Sequence, residues 1–196
     1  MKKLLVALAA LALAPAAMAD SEFSVVLQGG ASHYTSSLSS GSDTGAAYGV
    51  RLGMLPTPML GLELGYLGTQ NNIQQSLDTG REASTLKTNE GYADVRLNVL
   101  PGAVTPYVFG GYGLTWVNGG AASGVPNKTA NTLPFGGGVE GNIGAFKLGG
   151  RFQYNYLFDR IYTGSNGSGT PTTIGADKGG STDFWTASVD LGASFR

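Results

Sequence analysis

The sequence contains no cysteine and one histidine among its 196 residues. It therefore offers no disulfide, no thiol nucleophile and no thiolate metal ligand. Its 12 basic residues balance 13 acidic ones, for a formal net charge of −1, so it also lacks the basic excess of a nucleic-acid-binding protein. We expect no nucleic-acid partner, no metal and no cofactor.

Long apolar runs are also missing after residue 19, where nothing approaches the roughly 20 apolar residues that a membrane-spanning helix needs. The 32 glycines argue against a helical domain, because glycine destabilises helix interiors. Both absences leave β-structure as the expected fold class.

The first residues have the pattern of an export signal. Met1, Lys2 and Lys3 form a cationic start, residues 4–14 are apolar, and residues 17–19 form a small-x-small cleavage site. We predict a signal peptide over residues 1–19, cleaved after Ala19 during export through the inner membrane, followed by one domain over residues 20–196. A retained membrane anchor is the alternative.

The stretch FKLGGRFQYNYLF, residues 146–158, shows the strongest alternation in the chain. Successive side chains of a strand point to opposite faces, so this segment has one aromatic and apolar face and one small, amide and charged face. Large aromatic side chains on the apolar face suit lipid outside and a polar lumen inside.

Seven other segments alternate in the same way, which gives eight predicted strands: 22–34, 45–55, 59–68, 86–100, 106–117, 133–141, 146–158 and 183–195. Short connections around 56–58, 101–105 and 142–145 separate long ones at 35–44, 69–84, 118–132 and 159–182. This asymmetry is typical of outer-membrane barrels. The sequence therefore predicts an all-β protein, an eight-stranded antiparallel transmembrane β-barrel of up-and-down topology. A soluble β-sandwich is the alternative.

Eight charged residues lie on the strand faces opposite the apolar ones. They are Arg51, Glu63, Asp94, Arg96, Glu140, Lys147, Arg151 and Asp190. Lipid disfavours Arg or Lys near the bilayer midplane by about 2–4 kcal/mol, so we assign this face to the lumen. An eight-stranded barrel is only wide enough for side chains to fill, and buried charges of opposite sign should pair. We predict a salt-bridged plug; a narrow gated channel is the alternative.

Aromatic residues lie toward the strand ends on the apolar face. They are Tyr48, Tyr66, Tyr112, Trp116, Tyr154, Tyr156, Phe158 and Trp185. Their placement predicts the aromatic girdles found at the two membrane interfaces.

Two motifs carry a family resemblance: PYVFGGYG at residues 106–113 and FGGGVE at residues 135–140. With the export signal, they resemble the eight-stranded outer membrane protein A-like, or OMP β-barrel domain, family. The resemblance covers residues 20–196 and implies a monomer in the bacterial cell outer membrane, in contact with its lipid and lipopolysaccharide.

The resemblance also implies insertion by the barrel-assembly machinery. Gly192 and Phe195 match the aromatic-ended signal that this machinery reads, although Arg196 follows it here. We expect no periplasmic peptidoglycan-binding domain of the kind that accompanies some barrels of this family.

Catalysis has little support in the sequence. His33 is the one histidine, and its neighbour Ser32 points to the opposite face of the strand. A lipid A-modifying enzyme, which some small barrels are, is therefore a minor alternative, and we expect no enzyme. The hypothesis that the sequence favours is a structural or surface-interaction role carried by four exposed loops. The loops identify no ligand.

Overall fold

The computed structural model describes residues 21–35, 43–73, 84–119, 128–158, 164–165, 171–172 and 183–195. The predicted signal peptide and large parts of the four predicted loops lie outside these residues. Within the described ranges, no helix is long and apolar enough to cross a membrane.

The described residues form ten strands, eight of which close into one antiparallel barrel. The strands are β1 Glu22–Tyr34, β2 Gly45–Leu55, β3 Leu60–Ile73, β4 Ser84–Asn98, β5 Val104–Gly119, β6 Lys128–Ile143, β7 Phe146–Leu157, β8 Gly164–Ser165, β9 Pro171–Thr172 and β10 Phe184–Phe195. Neighbours along the chain pair throughout the barrel, and β10 pairs with both β7 and β1 to close it. The two-residue strands β8 and β9 pair only with each other. The predicted eight-stranded up-and-down barrel is confirmed.

The barrel has two different ends. Short connections join β2 to β3, β4 to β5 and β6 to β7, and β1 begins and β10 ends beside them; we call this the turn end. The opposite end carries the long connections, and we call it the loop end. The tightest turn is at Gly144, whose φ of +62° lies in the left-handed region that glycine adopts without strain.

Side chains alternate between the inside and the outside of the barrel wall, as strand geometry requires. In β7, Arg151 and Gln153 are buried, whereas Phe152 is 49% exposed on the outer surface. In β10, Asp190 is buried and Leu191 is 59% exposed. We call the half of the barrel nearest the turn end the turn half, and the other the loop half. The outer surface of the turn half is therefore apolar, and the inside holds the polar groups.

Glycines let the lumen side chains lie close to the wall. A Cβ at Gly111 would clash with the Ala93 carbonyl and the Asp94 carboxylate, and one at Gly136 would clash with the Phe152 carbonyl. At both positions only glycine leaves the space that the neighbouring strand and side chains occupy.

The strand bounds differ most from prediction at the loop end. The predicted bounds of strands one and two match β1 and β2. The prediction for strand six began at residue 133, whereas β6 begins at Lys128; likewise, strand three was predicted to end at 68, whereas β3 ends at Ile73. The central strands β3 to β6 are therefore 14 to 16 residues long and extend farther toward the loop end than predicted.

Candidate functional site: the barrel lumen and the loop end

Glu63 lies at the centre of the charged lumen. Its Oε1 is 3.4 Å from Arg51 Nε and 3.3 Å from Arg96 Nη1. Its Oε2 accepts a hydrogen bond of 2.7 Å from Arg151 Nη1. One carboxylate thus binds three guanidinium groups, which come from β2, β4 and β7.

Two aspartates complete the pairing of these arginines. Arg51 Nη2 donates to Asp190 Oδ2 at 3.0 Å, and Arg151 Nη2 donates to Asp94 Oδ2 at 2.7 Å. Hydrogen bonds between charged groups are about twice as strong as neutral ones, so each arginine is held in a fixed orientation.

Glu140 extends the network toward the turn end. It accepts a 3.1 Å hydrogen bond from Arg96 Nη1 and a 2.8 Å hydrogen bond from Lys147 Nζ. Lys147 also lies 2.9 Å from Glu22 Oε1. A polar cavity of about 130 Å³, lined by all four residues, opens beside them at the turn end.

The structure brings all eight predicted lumen residues into this one network. Each has at most 4% of its surface exposed: Arg51, Glu63, Asp94, Arg96, Glu140, Lys147, Arg151 and Asp190. Four are basic and four acidic, so the buried charges among them balance. Breaking one pair would leave its partner buried without compensation, which costs far more than an exposed pair contributes.

Aromatic rings fill the space beside the guanidinium groups. Arg151 Cζ lies 3.3 Å from the Phe109 ring centroid, and Arg96 Cζ lies 3.8 Å from that of Tyr107. A cation over a ring face is attracted by its quadrupole, and the flat ring leaves no gap beside the planar guanidinium. The charged part of the lumen is therefore packed with side chains.

Glu90 is a lumen residue that the sequence reasoning missed. It is fully buried, and neither carboxylate oxygen has a hydrogen-bond partner among the described residues. It lies four residues before Asp94 on β4, so the alternation could have revealed it. It was missed because its neighbours Lys87, Thr88 and Asn89 are polar on both faces, and no apolar face marks the strand there.

Around and beyond Glu90, toward the loop end, the lumen contains a buried hydrophobic cluster. The buried cluster there receives side chains from every strand of the barrel: Tyr34, Ala47, Leu67, Leu86, Tyr92, Val117, Ala130, Leu157 and Phe184. The rings of Tyr34 and Phe184 are 5.6 Å apart between centroids. The loop half of the lumen therefore holds a mixed core, in which this hydrophobic cluster packs beside buried polar side chains such as Ser32, Asn71 and Asn155.

Hydrogen bonds between small polar side chains link this core to the wall. Tyr34 Oη bonds the Thr88 hydroxyl, and the hydroxyls of Thr115 and Thr132 bond each other. Ser32 donates to Asn71 Oδ1 at 2.9 Å. These contacts satisfy polar groups that would otherwise destabilise an apolar core.

Of the eight predicted girdle residues, six lie toward the loop end of their strands, Tyr66 and Tyr112 lie near the middle of β3 and β5, and none lies at the turn end. Most are 40% exposed or more on the outer surface, and Tyr154 and Trp185 are partly buried. At the turn end the outer surface carries phenylalanines instead, namely Phe23, Phe146 and Phe195.

Two girdle tyrosines bond to asparagines one step nearer the loop end. Tyr66 Oη donates to Asn89 Oδ1 at 2.6 Å, and Tyr112 Oη donates to Asn131 Oδ1. Each pair joins an aromatic ring on the apolar surface to an amide on a polar one. The tyrosines therefore mark the height at which the outer surface of these strands changes from apolar to polar.

Above these tyrosines the outer surface of β3 to β6 is polar. Gln70, Lys87 and Asn118 lie side by side across three strands, and all three are exposed. Over the same height the inward residues Leu86, Val117 and Ala130 are buried. On these four strands the apolar side chains thus face inward near the loop end, whereas they face outward in the turn half.

His33 lies on the outer surface, with its ring centroid 5.9 Å from that of Trp185. Its Nδ1 is buried and has no hydrogen-bond partner among the described residues. Ser32 is buried on the other side of the wall. The two residues therefore do not form a nucleophile and base pair. Gly192 and Phe195, the predicted assembly signal, lie within the last four residues of β10, with the Phe195 side chain 58% exposed beside β1.

The chain belongs to the outer membrane protein β-barrel domain family, whose model matches residues 4–196. It is therefore a β-barrel protein of the bacterial outer membrane. No curated protein gives a significant sequence match.

Solved structures with the same fold are outer-membrane barrels. Neisserial surface protein A is 16% identical, with a TM-score of 0.62 over 88% of this chain and 97% of its own. Ail, the attachment invasion locus protein of Yersinia pestis, is 14% identical, with a TM-score of 0.54 over 89% and 98%. The barrel domain of Pseudomonas aeruginosa OprF is 14% identical, with a TM-score of 0.51 over 88% and 97%.

Proposed function

We propose that this protein is a non-conducting, non-enzymatic outer-membrane barrel with a structural or surface-interaction role exerted at its loop end. The observation that carries the proposal is the double closure of the lumen. A balanced ion-pair network fills the turn half, and an apolar core contributed by all eight strands fills the loop half. Among the described residues, these two sets of buried side chains support a lumen that does not conduct.

Because side chains fill both halves of the lumen, we expect the outer surface and the loops to carry the function. Loops held by a rigid scaffold commonly carry binding functions, and a packed barrel is such a scaffold. Two structural neighbours are named as a surface protein and as an attachment and invasion protein. These names agree with the proposed role.

The rest of the proposal concerns how the protein reaches its site. Residues 1–19 direct export, the assembly machinery reads the β10 end with Gly192 and Phe195, and the barrel works as a monomer. The exposed Phe195 side chain at the open turn end supports the second step.

Single-channel recording in planar bilayers tests the closed lumen. The folded protein, identified by its heat-modifiable migration on a gel, should give no steady conductance. A reproducible conductance that changes when Glu140 is replaced by Gln would instead support the narrow channel. Glu140 is the residue to replace because it binds Arg96 and Lys147 beside the cavity at the turn end, where conducted ions would leave the lumen.

A further inference from the structure

Glu90 lies outside the ion pairs that fill the turn half of the lumen. It is fully buried, and neither of its carboxylate oxygens has a hydrogen-bond partner among the described residues. The four basic and four acidic residues of the network balance one another, so Glu90 adds one negative charge beyond this balance. A buried charge without compensation strongly destabilises a fold. A positive charge beside Glu90 would remove this cost.

The carboxylate of Glu90 points along the wall toward β5. Its Oε1 is 3.1 Å from the position that a Cβ at Gly113 would take. Asp94, four residues along β4, places its Oδ1 against Gly111, the next inward glycine of β5. This Asp94 oxygen is also buried, and it has no hydrogen-bond partner among the described residues. Three unpartnered carboxylate oxygens thus lie against the same glycine-lined stretch of β5.

Tyr92 is the inward residue between Glu90 and Asp94, and its ring points the other way. A Cβ at Gly65 on β3 would clash with this ring, and the Tyr92 hydroxyl donates to Gln28 Oε1 on β1 at 3.3 Å. The ring therefore occupies the β3 side of the strand. It does not fill the β5 side, toward which both carboxylates point.

Two threonine hydroxyls add neutral oxygens to this region. Thr115 is the register partner of Glu90, and Thr132 is the register partner of Gly113. Both threonines are fully buried, and their hydroxyls bond each other. Side chains directly opposite on neighbouring antiparallel strands have Cβ atoms about 4.5–5.5 Å apart. The Thr115 hydroxyl is therefore placed to contact an ion that Glu90 binds.

Surroundings made of oxygen suit a hard, monovalent cation. Carboxylate and hydroxyl oxygens are ligands of hard cations, whereas soft metals prefer thiolate or imidazole. A divalent site rich in carboxylates is not supported, because no three Asp, Glu, His or Cys side chains among the described residues form a group that could hold a metal ion. Arg151 Nη2, at 2.7 Å, already balances the charge of Asp94. One positive charge therefore matches the excess charge of Glu90.

A proton or an amide would satisfy this region less completely. One proton on Glu90 can join at most two of the three unpartnered oxygens, whereas a cation coordinates several oxygens at once. Asn155 Nδ2 is a buried donor that also has no hydrogen-bond partner among the described residues. An amide is neutral, however, and would leave the charge of Glu90 uncompensated.

We propose that Glu90 and Asp94, with the hydroxyls of Thr115 and Thr132, bind one monovalent hard cation such as sodium inside the lumen. The bound ion would join β4, β5 and β6 at the boundary between the two halves of the barrel. The proposal does not depend on the role of the loops. It departs from the sequence-based expectation of no metal, which does not include Glu90 among the lumen residues.

Unfolding with and without sodium tests the proposal. The folded protein in zwitterionic micelles is unfolded with urea in sodium chloride or in N-methylglucamine chloride of equal ionic strength, and gel migration measures the folded fraction. A site that is about nine-tenths occupied multiplies the ratio of folded to unfolded protein about tenfold, so we expect a higher urea midpoint in sodium. Protein refolded with radioactive sodium should also retain the ion after desalting, because the site is buried.

Glu90→Gln is the main variant, since it nearly keeps the volume of the side chain and removes its charge. It should unfold at the same urea midpoint in both salts and retain no sodium. Glu22→Gln is the matched control, because it removes a carboxylate that binds Lys147 at the turn end, and it should keep the sodium dependence. Thr115→Val should weaken sodium retention and serves as a second variant if Glu90→Gln does not fold.

Three results would overturn the proposal. Equal midpoints of the unaltered protein in the two salts, with no retained sodium, would mean that Glu90 holds a proton instead. An equal sodium effect on the unaltered protein and on Glu90→Gln would mean a general effect of the salt. Loss of the sodium effect in Glu22→Gln but not in Glu90→Gln would move the ion to the cavity at the turn end.

Discussion

On β3 to β6, the two halves of this barrel place apolar side chains on opposite sides of the same wall. On β4, Val95 in the turn half is 50% exposed on the outside, whereas Leu86 near the loop end is buried inside. The strand is continuous between them and its register with β3 and β5 does not change. The surroundings of the barrel, and not its architecture, therefore decide which face is apolar.

Each half has a different weak point as a consequence. Lipid surrounds the turn half, so its lumen can hold charges, provided that each one is paired. On β3 to β6 the outer surface of the loop half is polar and suits contact with water, so the hydrophobic cluster inside must exclude water as the core of a soluble protein does. Substitutions inside the turn half should destabilise the barrel by leaving a buried charge unpaired. Substitutions inside the loop half should destabilise it by creating cavities.

The largest effect is expected from charge reversal in the turn half. Arg151→Glu removes the hydrogen bonds to Glu63 and Asp94 and adds a third carboxylate beside them. We expect a loss of at least about 3–5 kcal/mol in the free energy of unfolding, the range for breaking a buried pair. Urea unfolding in micelles, followed by gel migration, measures it.

Lys87→Glu is the matched control for that reversal, because Lys87 is exposed on the outer surface of the loop half. Its unfolding free energy should change by less than about 0.5 kcal/mol. Equal unfolding midpoints for the two variants would contradict a structural role for the network.

Cavity formation in the loop half comes next. Leu86→Ala should lower the unfolding free energy by about 2–5 kcal/mol, because the closed core cannot refill the space. Leu62→Ala, on the outer surface of the turn half, leaves no cavity, since lipid or detergent fills the space. The same unfolding assay should therefore show a clearly smaller loss for Leu62→Ala than for Leu86→Ala.

A glycine substitution tests the close approach of lumen side chains to the wall. A Cβ at Gly111 would clash with backbone and with Asp94, whereas one at Gly29 would meet nothing within 4 Å. Gly111→Ala should cost about 1–3 kcal/mol by overpacking, and Gly29→Ala should be nearly neutral. Stability of Gly111→Ala equal to that of the unaltered protein would show that the wall can shift.

The smallest expected effect concerns the boundary between the halves. Tyr66→Phe removes the hydroxyl that donates to Asn89 and should cost about 0.5–1.5 kcal/mol. Tyr48→Phe is the comparison, because Tyr48 is equally exposed and no hydrogen bond from its hydroxyl is present among the described residues. Equal midpoints in thermal unfolding would mean that the Tyr66 bond contributes nothing.

Much of the turn half could be predicted from the sequence, because lipid makes one face uniformly apolar and isolates every charge on the other. The alternation therefore located β1 and β2 to the residue, and placed Arg51, Glu63 and Arg151 on one face. Which charges pair could not be predicted, since it depends on how eight tilted strands align across the lumen.

The loop half was predicted poorly for a physical reason. From residue 128 to 132 the inward residues are Ala130 and Thr132, and the outward ones are Thr129 and Asn131, so neither face is strongly apolar. This stretch resembles a loop in composition and was predicted as one. The same weakness concealed Glu90 on β4.

Single-cysteine labelling tests the inversion of wall polarity most directly, and the natural absence of cysteine makes it possible. Lys87→Cys, Val95→Cys and Leu86→Cys, all on β4, would be reacted with a hydrophilic maleimide in lipid nanodiscs. We predict rapid labelling at position 87 only, with position 95 protected by lipid and position 86 by the apolar core. Rapid labelling at position 95 or 86 in the folded barrel would contradict the account.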